Sequence, residues 1–236
     1  MSEGSKKLEQ GQYRDAMKEY QEAQKLFEKA SASKEARFAE AWSKLCEGKT
    51  FLSERSYIDA MKAFGRANTI FSRDGNQEEA IQARIGQAAS QEEIAKERAA
   101  SGKFIESARL YESAGASYQN AGFSQEAAKA RARSFVQRAA SSPDDFQKAE
   151  FLSQAVDEFR KGRERSLLIE GHAHFYRGRS LINVKIGSAI DNLARAAEAY
   201  QKAGAEAQVI KVRELLTELT QEVRTKPAEF ERKRPY

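Results

Sequence analysis

Apolar residues recur along the chain at alternating steps of three and four, the spacing that places them on one stripe of a helix. The clearest stretch carries five of them: Tyr13, Ala16, Tyr20, Ala23 and Phe27. Two of the five are alanines, whose small side chain lets a neighbouring helix come close. The pattern therefore predicts an amphipathic helix that packs tightly against other helices.

The same stripe returns four times, at intervals of 44, 47, 42 and 40 residues. The further copies begin at Tyr57, Phe104, Phe146 and Ile186. The fourth copy is the weakest, because Arg160 stands where the other copies have an aromatic residue. Each interval holds two antiparallel helices, and such a pair buries both faces only by stacking on its neighbours. The repetition predicts an all-α fold, a right-handed α-solenoid of about five antiparallel helix pairs.

The stretches between the copies contain helix-stopping signals. In Arg73-Asp74-Gly75-Asn76, the glycine suits the position just after a helix end. No run of alternating β-branched residues predicts a strand. We predict a single helical repeat domain over residues 1–224 and a basic tail over residues 225–236 that is not folded into the core.

Two parts of the pattern resemble the tetratricopeptide repeat (TPR) family. Gly11-Gln-Tyr13-x-x-Ala16-x-x-x-Tyr20-x-x-Ala23 resembles the second helix of a TPR repeat, and Trp42-x-x-Leu45 resembles part of the first. The intervals exceed the ~34 residues of that family, and the chain lacks the proline that usually closes each repeat. The resemblance implies a superhelix of helix pairs that binds proteins.

The longer helices are also similar to those of the SNAP family of membrane-fusion adaptors. The junction that carries this likeness is Tyr111-Glu112-Ser113-Ala114, followed by Tyr118, Ala121 and Gly122. The chain does not end in the acidic, leucine-containing tail by which SNAP adaptors engage their ATPase. This second resemblance therefore supports a shape more than a role.

The composition predicts a surface that carries charges of both signs. The chain has 40 Lys and Arg against 35 Asp and Glu, a net charge of +5, which favours solvated helix faces over a nucleic-acid surface. A signal peptide is not evident, and no apolar run approaches the ~20 residues of a membrane span. We therefore expect a cytoplasmic protein, in which the single cysteine, Cys46, is a small buried thiol.

Candidate chemistry is sparse. The two histidines, His172 and His174, lie two residues apart in a predicted helix and so point in different directions, whereas a metal-binding pair needs a spacing of three or four. His174 fits a packed position in the core. Phosphate-binding loops, dinucleotide fingerprints and Cys-x-x-Cys pairs are missing from the sequence. We expect no enzyme activity, no cofactor and no metal site.

Polar residues that recur on the first helix of each predicted pair are the candidate binding residues. In the TPR family this helix lines the concave groove, and a seven-residue spacing returns to nearly the same face. The candidates are Arg37, Lys44, Arg84, Gln87, Gln91, Arg131, Arg138 and Arg177. One interpretation is a basic strip that binds an acidic or amphipathic protein segment. The other is a set of ordinary solvated positions.

The function expected from these patterns is a non-catalytic scaffold or adaptor for protein–protein interaction. One alternative is a SNAP-like adaptor that helps an ATPase remodel membranes or complexes, with peripheral membrane association. The other is a nucleic-acid-binding helical repeat protein, favoured by the net charge and by Arg232-Lys233-Arg234 in the tail. The partner and the oligomeric state stay open.

Overall fold

The fold was analysed in a computed structural model that describes residues 2–225. This range forms eleven α-helices and no strand, which confirms the all-α prediction. The predicted basic tail lies outside the described residues, apart from Thr225 at the end of the last helix. The helices are α1 (Ser2–Glu9), α2 (Tyr13–Lys29), α3 (Ser33–Ser53), α4 (Tyr57–Arg73), α5 (Gln77–Ala100), α6 (Phe104–Asn120), α7 (Ser124–Ser141), α8 (Asp145–Lys161), α9 (Leu167–Leu181), α10 (Ile186–Lys202) and α11 (Glu206–Thr225).

The five copies of the apolar stripe correspond to α2, α4, α6, α8 and α10. The described residues form one helix more than the ten or so expected, because a break at Gly11, which has a φ of +75°, separates α1 from α2. Consecutive helices pack against each other, as a helical repeat requires. The chain divides into two compact units, Met1–Ala130 and Arg131–Tyr236, which are described separately below.

An aromatic cluster around the only tryptophan forms part of the core of the first unit. The ring of Trp42 stacks on Tyr20, with centroids 5.6 Å apart, and meets Phe38 and Phe71 edge-on. Tyr20 and Phe71 are buried members of the apolar stripe. The stripe therefore supplies the aromatic core of this unit, and α3 supplies the partner rings between α2 and α4.

Two glycines let Phe64 reach its buried position in α4. A Cβ atom on Gly48 of α3 would lie 2.8 Å from the Phe64 ring, and one on Gly86 of α5 would lie 2.6 Å from it. Any larger residue would collide with the ring, so the helices on both sides approach it through bare backbone. The side chain of Phe64 is only 2% exposed as a result.

The second unit uses the same device. A Cβ atom on Gly171 would lie 2.6 Å from Tyr200, and one on Gly178 would lie 2.7 Å from Leu193. These glycines of α9 therefore allow close contact with α10. Leu193 and Tyr200 are buried at the centre of the core.

The last helix covers one side of this core. Val209, Val212 and Leu219 of α11 are buried, and Leu215 and Leu216 pack against the same cluster. Charged and polar side chains occupy most of the other face of α11. α11 therefore has one apolar face against this core and one largely polar face.

Several helices in this fold end just before a residue with the left-handed backbone conformation, in which φ is positive. Gly75 follows the end of α4 with a φ of +81°, as the stop signal in the sequence predicts. Ser31, Arg55 and Arg163 adopt the same conformation without being glycine. Such residues are strained, because Cβ crowds the backbone when φ is positive.

None of the helices in the described range is both long enough and apolar enough to cross a membrane.

Candidate functional site

A cleft of about 600 Å³ opens between α3 and α5 in the first unit. Its floor is the buried ring of Phe64, which the cleft reaches past Gly86. The remaining lining residues come from α2, α3 and α5. They are Tyr13, Lys49, Leu52, Ser53, Gln82, Ile85 and Ala89. The volume lies within the range of about 300 to 1,000 Å³ that is typical of ligand pockets.

The chemistry of this cleft is apolar with a cationic rim. Leu52, Phe64 and Ile85 are among its apolar lining residues. The ammonium group of Lys49 lies 5.5 Å from the centroid of the Tyr13 ring and makes no ion pair within the described part of the chain. An apolar side chain can fill such a cleft while a neighbouring carboxylate pairs with the lysine.

The residues of α5 that line the cleft are not those of the predicted strip. At about 100° per residue, Gln82, Ile85 and Ala89 share one face of the helix. Arg84 and Gln91 lie on the opposite face and contact other helices. The strip and the cleft therefore occupy different sides of the same helix.

Arg84 joins three helices of the first unit. Its Nε donates a hydrogen bond to Asn68 Oδ1 (3.0 Å), and its Nη2 donates one to Ser72 Oγ (3.2 Å), both on α4. A longer bond of 3.4 Å reaches the carbonyl of Asn120 at the end of α6. The guanidinium of Arg84 therefore makes structural contacts between these helices.

The two glutamines of the strip also face inward. Gln91 is 7% exposed and its Nε2 donates to Ser113 Oγ of α6 at 2.9 Å. Its Oε1 is buried and accepts no hydrogen bond from the described residues. The side-chain amide of Gln87 lies on α4 beside Gly65, where an added Cβ would sit 3.8 Å from Nε2.

Arg37 and Lys44 of α3 carry internal ion pairs. Arg37 Nε donates to Asp74 Oδ2 (2.9 Å) at the end of α4. That hydrogen bond, against the opposing effect of burial, holds the pKa of Asp74 below its usual value. Lys44 pairs with Glu47, three residues further along the same helix, at 2.7 Å.

The strip residues in the second unit have mixed surroundings. Arg131 Nε donates to Glu158 Oε2 at 2.8 Å, and Lys161 also pairs with that carboxylate. The guanidinium of Arg138 lies 5.6 Å from the centre of the Phe135 ring. Arg177 approaches Glu150 at 3.7 Å and lines a second cleft, between α8, α9 and α10.

Glu158 is the most strongly anchored carboxylate of this group. Burial raises its pKa, but hydrogen bonds from Lys161 and Arg131 outweigh that effect, and the pKa lies below its usual value. Arg131 therefore ties α7 to α8 through a charged group that stays ionised.

The histidines and the cysteine occupy separate places. His172 Nδ1 lies 2.7 Å from the carbonyl oxygen of Leu168, and His174 Nδ1 lies 3.3 Å from Asn192 Oδ1. His174 is half-buried at the second cleft and is not enclosed in the core. Cys46 is buried, as predicted, and burial raises its pKa to about 12. Within residues 2–225, no three His, Cys, Asp or Glu side chains lie close enough together to hold a metal ion.

Sequence reasoning missed the lining of the α3–α5 cleft. Lys49 and Gln82 do not recur at a regular spacing, so a search for polar residues seven positions apart does not identify them. One signal in the sequence is Gly86, a glycine inside a predicted helix, which lies against Phe64 and lines the cleft. No model of a known protein family matches the chain, and no curated protein matches it either.

Proposed function

We propose that this protein is a non-catalytic scaffold or adaptor that binds a segment of a partner protein. The proposed architecture is a TPR-like, right-handed α-solenoid of about five antiparallel helix pairs with long, SNAP-like helices. In this proposal the first unit holds the binding surface, and the partner segment presents an apolar side chain next to an acidic one.

The observation that carries the proposal is the α3–α5 cleft. It combines an apolar floor at Phe64 with the ammonium group of Lys49, which has no ion-pair partner in the described range. An apolar pocket with a charged rim suits a peptide that is anchored by one hydrophobic side chain and oriented by one carboxylate. By contrast, the guanidiniums of Arg37, Arg84 and Arg131 already bond to neighbouring helices.

The first test is selection of peptides from a random displayed library against the full chain, followed by affinity measurement. We expect the selected peptides to share an apolar residue beside Asp or Glu. Lys49→Glu reverses the charge at the rim. We expect this variant to bind the selected peptides at least about tenfold more weakly, which corresponds to about 1.4 kcal/mol in binding free energy.

Lys62→Glu is the matched control. It makes the same charge reversal on α4, where Lys62 is 63% exposed and pairs only loosely with Asp59, at 3.5 Å. Peptides that bind Lys49→Glu and the unaltered protein equally would refute the proposed site. A parallel titration with a single-stranded oligonucleotide separates the nucleic-acid alternative, which requires affinity to fall steeply with salt.

A further inference from the structure

The second unit has a cleft where the apolar stripe of the repeat is interrupted. In three other copies, large buried side chains occupy the third and fifth positions of the stripe: Phe64 and Phe71, Tyr111 and Tyr118, and Leu193 and Tyr200. The fourth copy has Ser153 and Arg160 there, and both line a cleft of about 500 Å³. The large buried side chains of α8 stand one position earlier, at Leu152 and Phe159, so Ser153 and Arg160 face the cleft instead of the core.

The cleft has an apolar middle and two charged ends. Val156 and Ala173 supply apolar surface between these ends, and Leu181 adds apolar surface one turn beyond Arg177 on α9. The volume again lies within the range of about 300 to 1,000 Å³ that small-molecule sites occupy. A ligand of this size can bury an apolar body in the middle and place one polar group at an end.

At one end of the cleft, neighbouring carboxylates already compensate the positive charge of Arg160. Its guanidinium lies 3.5 Å from Asp157 and 3.3 Å from Glu170, and Glu170 also approaches Arg165 at 3.6 Å. An anionic ligand gains little there, because two carboxylates repel it.

At the other end of the cleft, the guanidinium of Arg177 has fewer polar partners. Its nearest carboxylate, Glu150, is half exposed and lies 3.7 Å away, beyond hydrogen-bonding distance. The guanidinium lies 5.4 Å from the centroid of the Phe146 ring, and it forms no hydrogen bond within residues 2–225. Arg177 is one-third exposed, so its donors remain accessible to a ligand.

His174 lies one turn from Arg177 on the same face of α9. Asn192 Nδ2 donates to the carbonyl of Ser188 at 2.8 Å, and this bond assigns Oδ1 of the same amide as the acceptor for His174 Nδ1. With Nδ1–H donating to Asn192, Nε2 of the neutral imidazole is a hydrogen-bond acceptor, so it does not bond a carboxylate and His174 serves as a reporter that lies beside Arg177.

We propose that this cleft binds a small organic carboxylate with an apolar body. The carboxylate pairs with the planar fork of Arg177 beside His174, and the apolar body covers Val156 and Leu181. The charges of Arg160 and Arg177 are balanced by those of Asp157 and Glu170, which disfavours multiply charged anions such as phosphate. The site lies in the second unit and is independent of the proposed peptide cleft.

The test uses the two histidines as internal reporters, read from their ring proton resonances in NMR spectra of the full chain. The probes are 4-methylpentanoate and phenylacetate, with 4-methylpentanamide as the neutral counterpart and inorganic phosphate as the multivalent anion. We expect either carboxylate to shift the His174 resonance in a saturable way. His172 should stay constant, because its ring lies against Tyr200 and the carbonyl of Leu168, outside the cleft.

Two variants test the geometry. Arg177→Gln should weaken binding about tenfold, since it removes one charge-assisted contact. Ser153→Phe restores the ring of the other copies and should abolish binding by filling the cleft. Gln154→Phe is its matched control, because it adds the same ring at an exposed position of α8 and should leave the affinity unchanged.

Four results would overturn the proposal: no saturable shift of His174 with either carboxylate up to about 20 mM, equal binding of the amide, tighter binding of phosphate, or unchanged affinity in Arg177→Gln. The last variant keeps the test decisive if Ser153→Phe does not fold. Circular dichroism of each variant verifies that the helices are intact.

Discussion

Replacing Gly86 with alanine adds a methyl group where the ring of Phe64 now lies. The added Cβ would stand 2.6 Å from Cε1 and 2.7 Å from Cδ1 and Cζ, well inside van der Waals contact. A second backbone also limits the movement of the ring, because an added Cβ on Gly48 of α3 would lie 2.8 Å from it. The backbone of α5 or the ring itself must therefore shift.

The size of the effect follows from two opposing contributions. Alanine is favoured over glycine in the middle of a helix by about 1 kcal/mol. Overpacking costs about 1 to 3 kcal/mol, and we take the upper end because the backbones at Gly48 and Gly86 both approach this ring closely. We therefore expect Gly86→Ala to lower the free energy of unfolding by about 2 kcal/mol.

Gly65→Ala is the matched control in the same unit. Gly65 is also inside a helix, but an added Cβ there finds its nearest atom 3.8 Å away, on Gln87. The helical preference for alanine then acts alone, and we expect a gain of about 0.5 to 1 kcal/mol. The two substitutions should thus have opposite signs.

Urea unfolding followed by tryptophan fluorescence measures both variants. Trp42 is the only tryptophan of the chain and lies in the aromatic core of the same unit, so its emission reports the unfolding of that unit. The midpoint should change while the slope stays constant. A gain in stability for Gly86→Ala equal to that for Gly65→Ala would refute the proposed close contact. Combining Gly86→Ala with Phe64→Leu should recover part of the loss, because the smaller side chain leaves room for the methyl group.

Three further predictions concern stability and reactivity. Glu158→Gln should lower the free energy of unfolding by about 1 to 2 kcal/mol at neutral pH. Because the pKa of Glu158 is lower in the folded protein, this stabilisation is present above the unfolded pKa of about 4.3 and is lost as the pH falls below it. Urea titrations at pH 7 and below pH 4 should therefore show that the stability difference between the variant and the unaltered protein shrinks at low pH. Arg55→Gly should raise stability by about 0.5 to 1 kcal/mol by relieving the positive φ of 61°, whereas Arg55→Ala keeps the strain and should give no gain in the same denaturation assay. Cys46 should resist Ellman's reagent in the native protein and react fully in urea, since its thiol is buried with a pKa near 12; rapid reaction without denaturant would contradict the packing.

The positions of the helices could be predicted because they depend on local periodicity. The stripe that begins at Tyr57, for example, is buried in α4 at Ala60, Phe64, Ala67 and Phe71. Local spacing sets the face that each of these helices buries, so a single chain segment contains the necessary information.

The surfaces of α3 and α5 could not be predicted in the same way. These helices pack against neighbours on more than one side, so a recurring polar residue such as Arg84 can serve an internal contact as well as a ligand. The spacing of Arg84 and Gln91 identifies a common face but does not say what lies opposite it. Likewise, Arg160 is visible as a departure from the stripe, whereas the cleft beside it depends on the neighbouring helices.

The burial of Cys46 has a practical consequence for spectroscopy on this protein. A cysteine introduced at an exposed position, such as Gln154 of α8, would be the only accessible thiol in the folded chain, because the native one is enclosed in the core. Fluorescent or spin labels can then be attached at single chosen sites without first removing the native cysteine. Pairs of such labels would give distances within either unit, and therefore a direct record of any movement that accompanies binding.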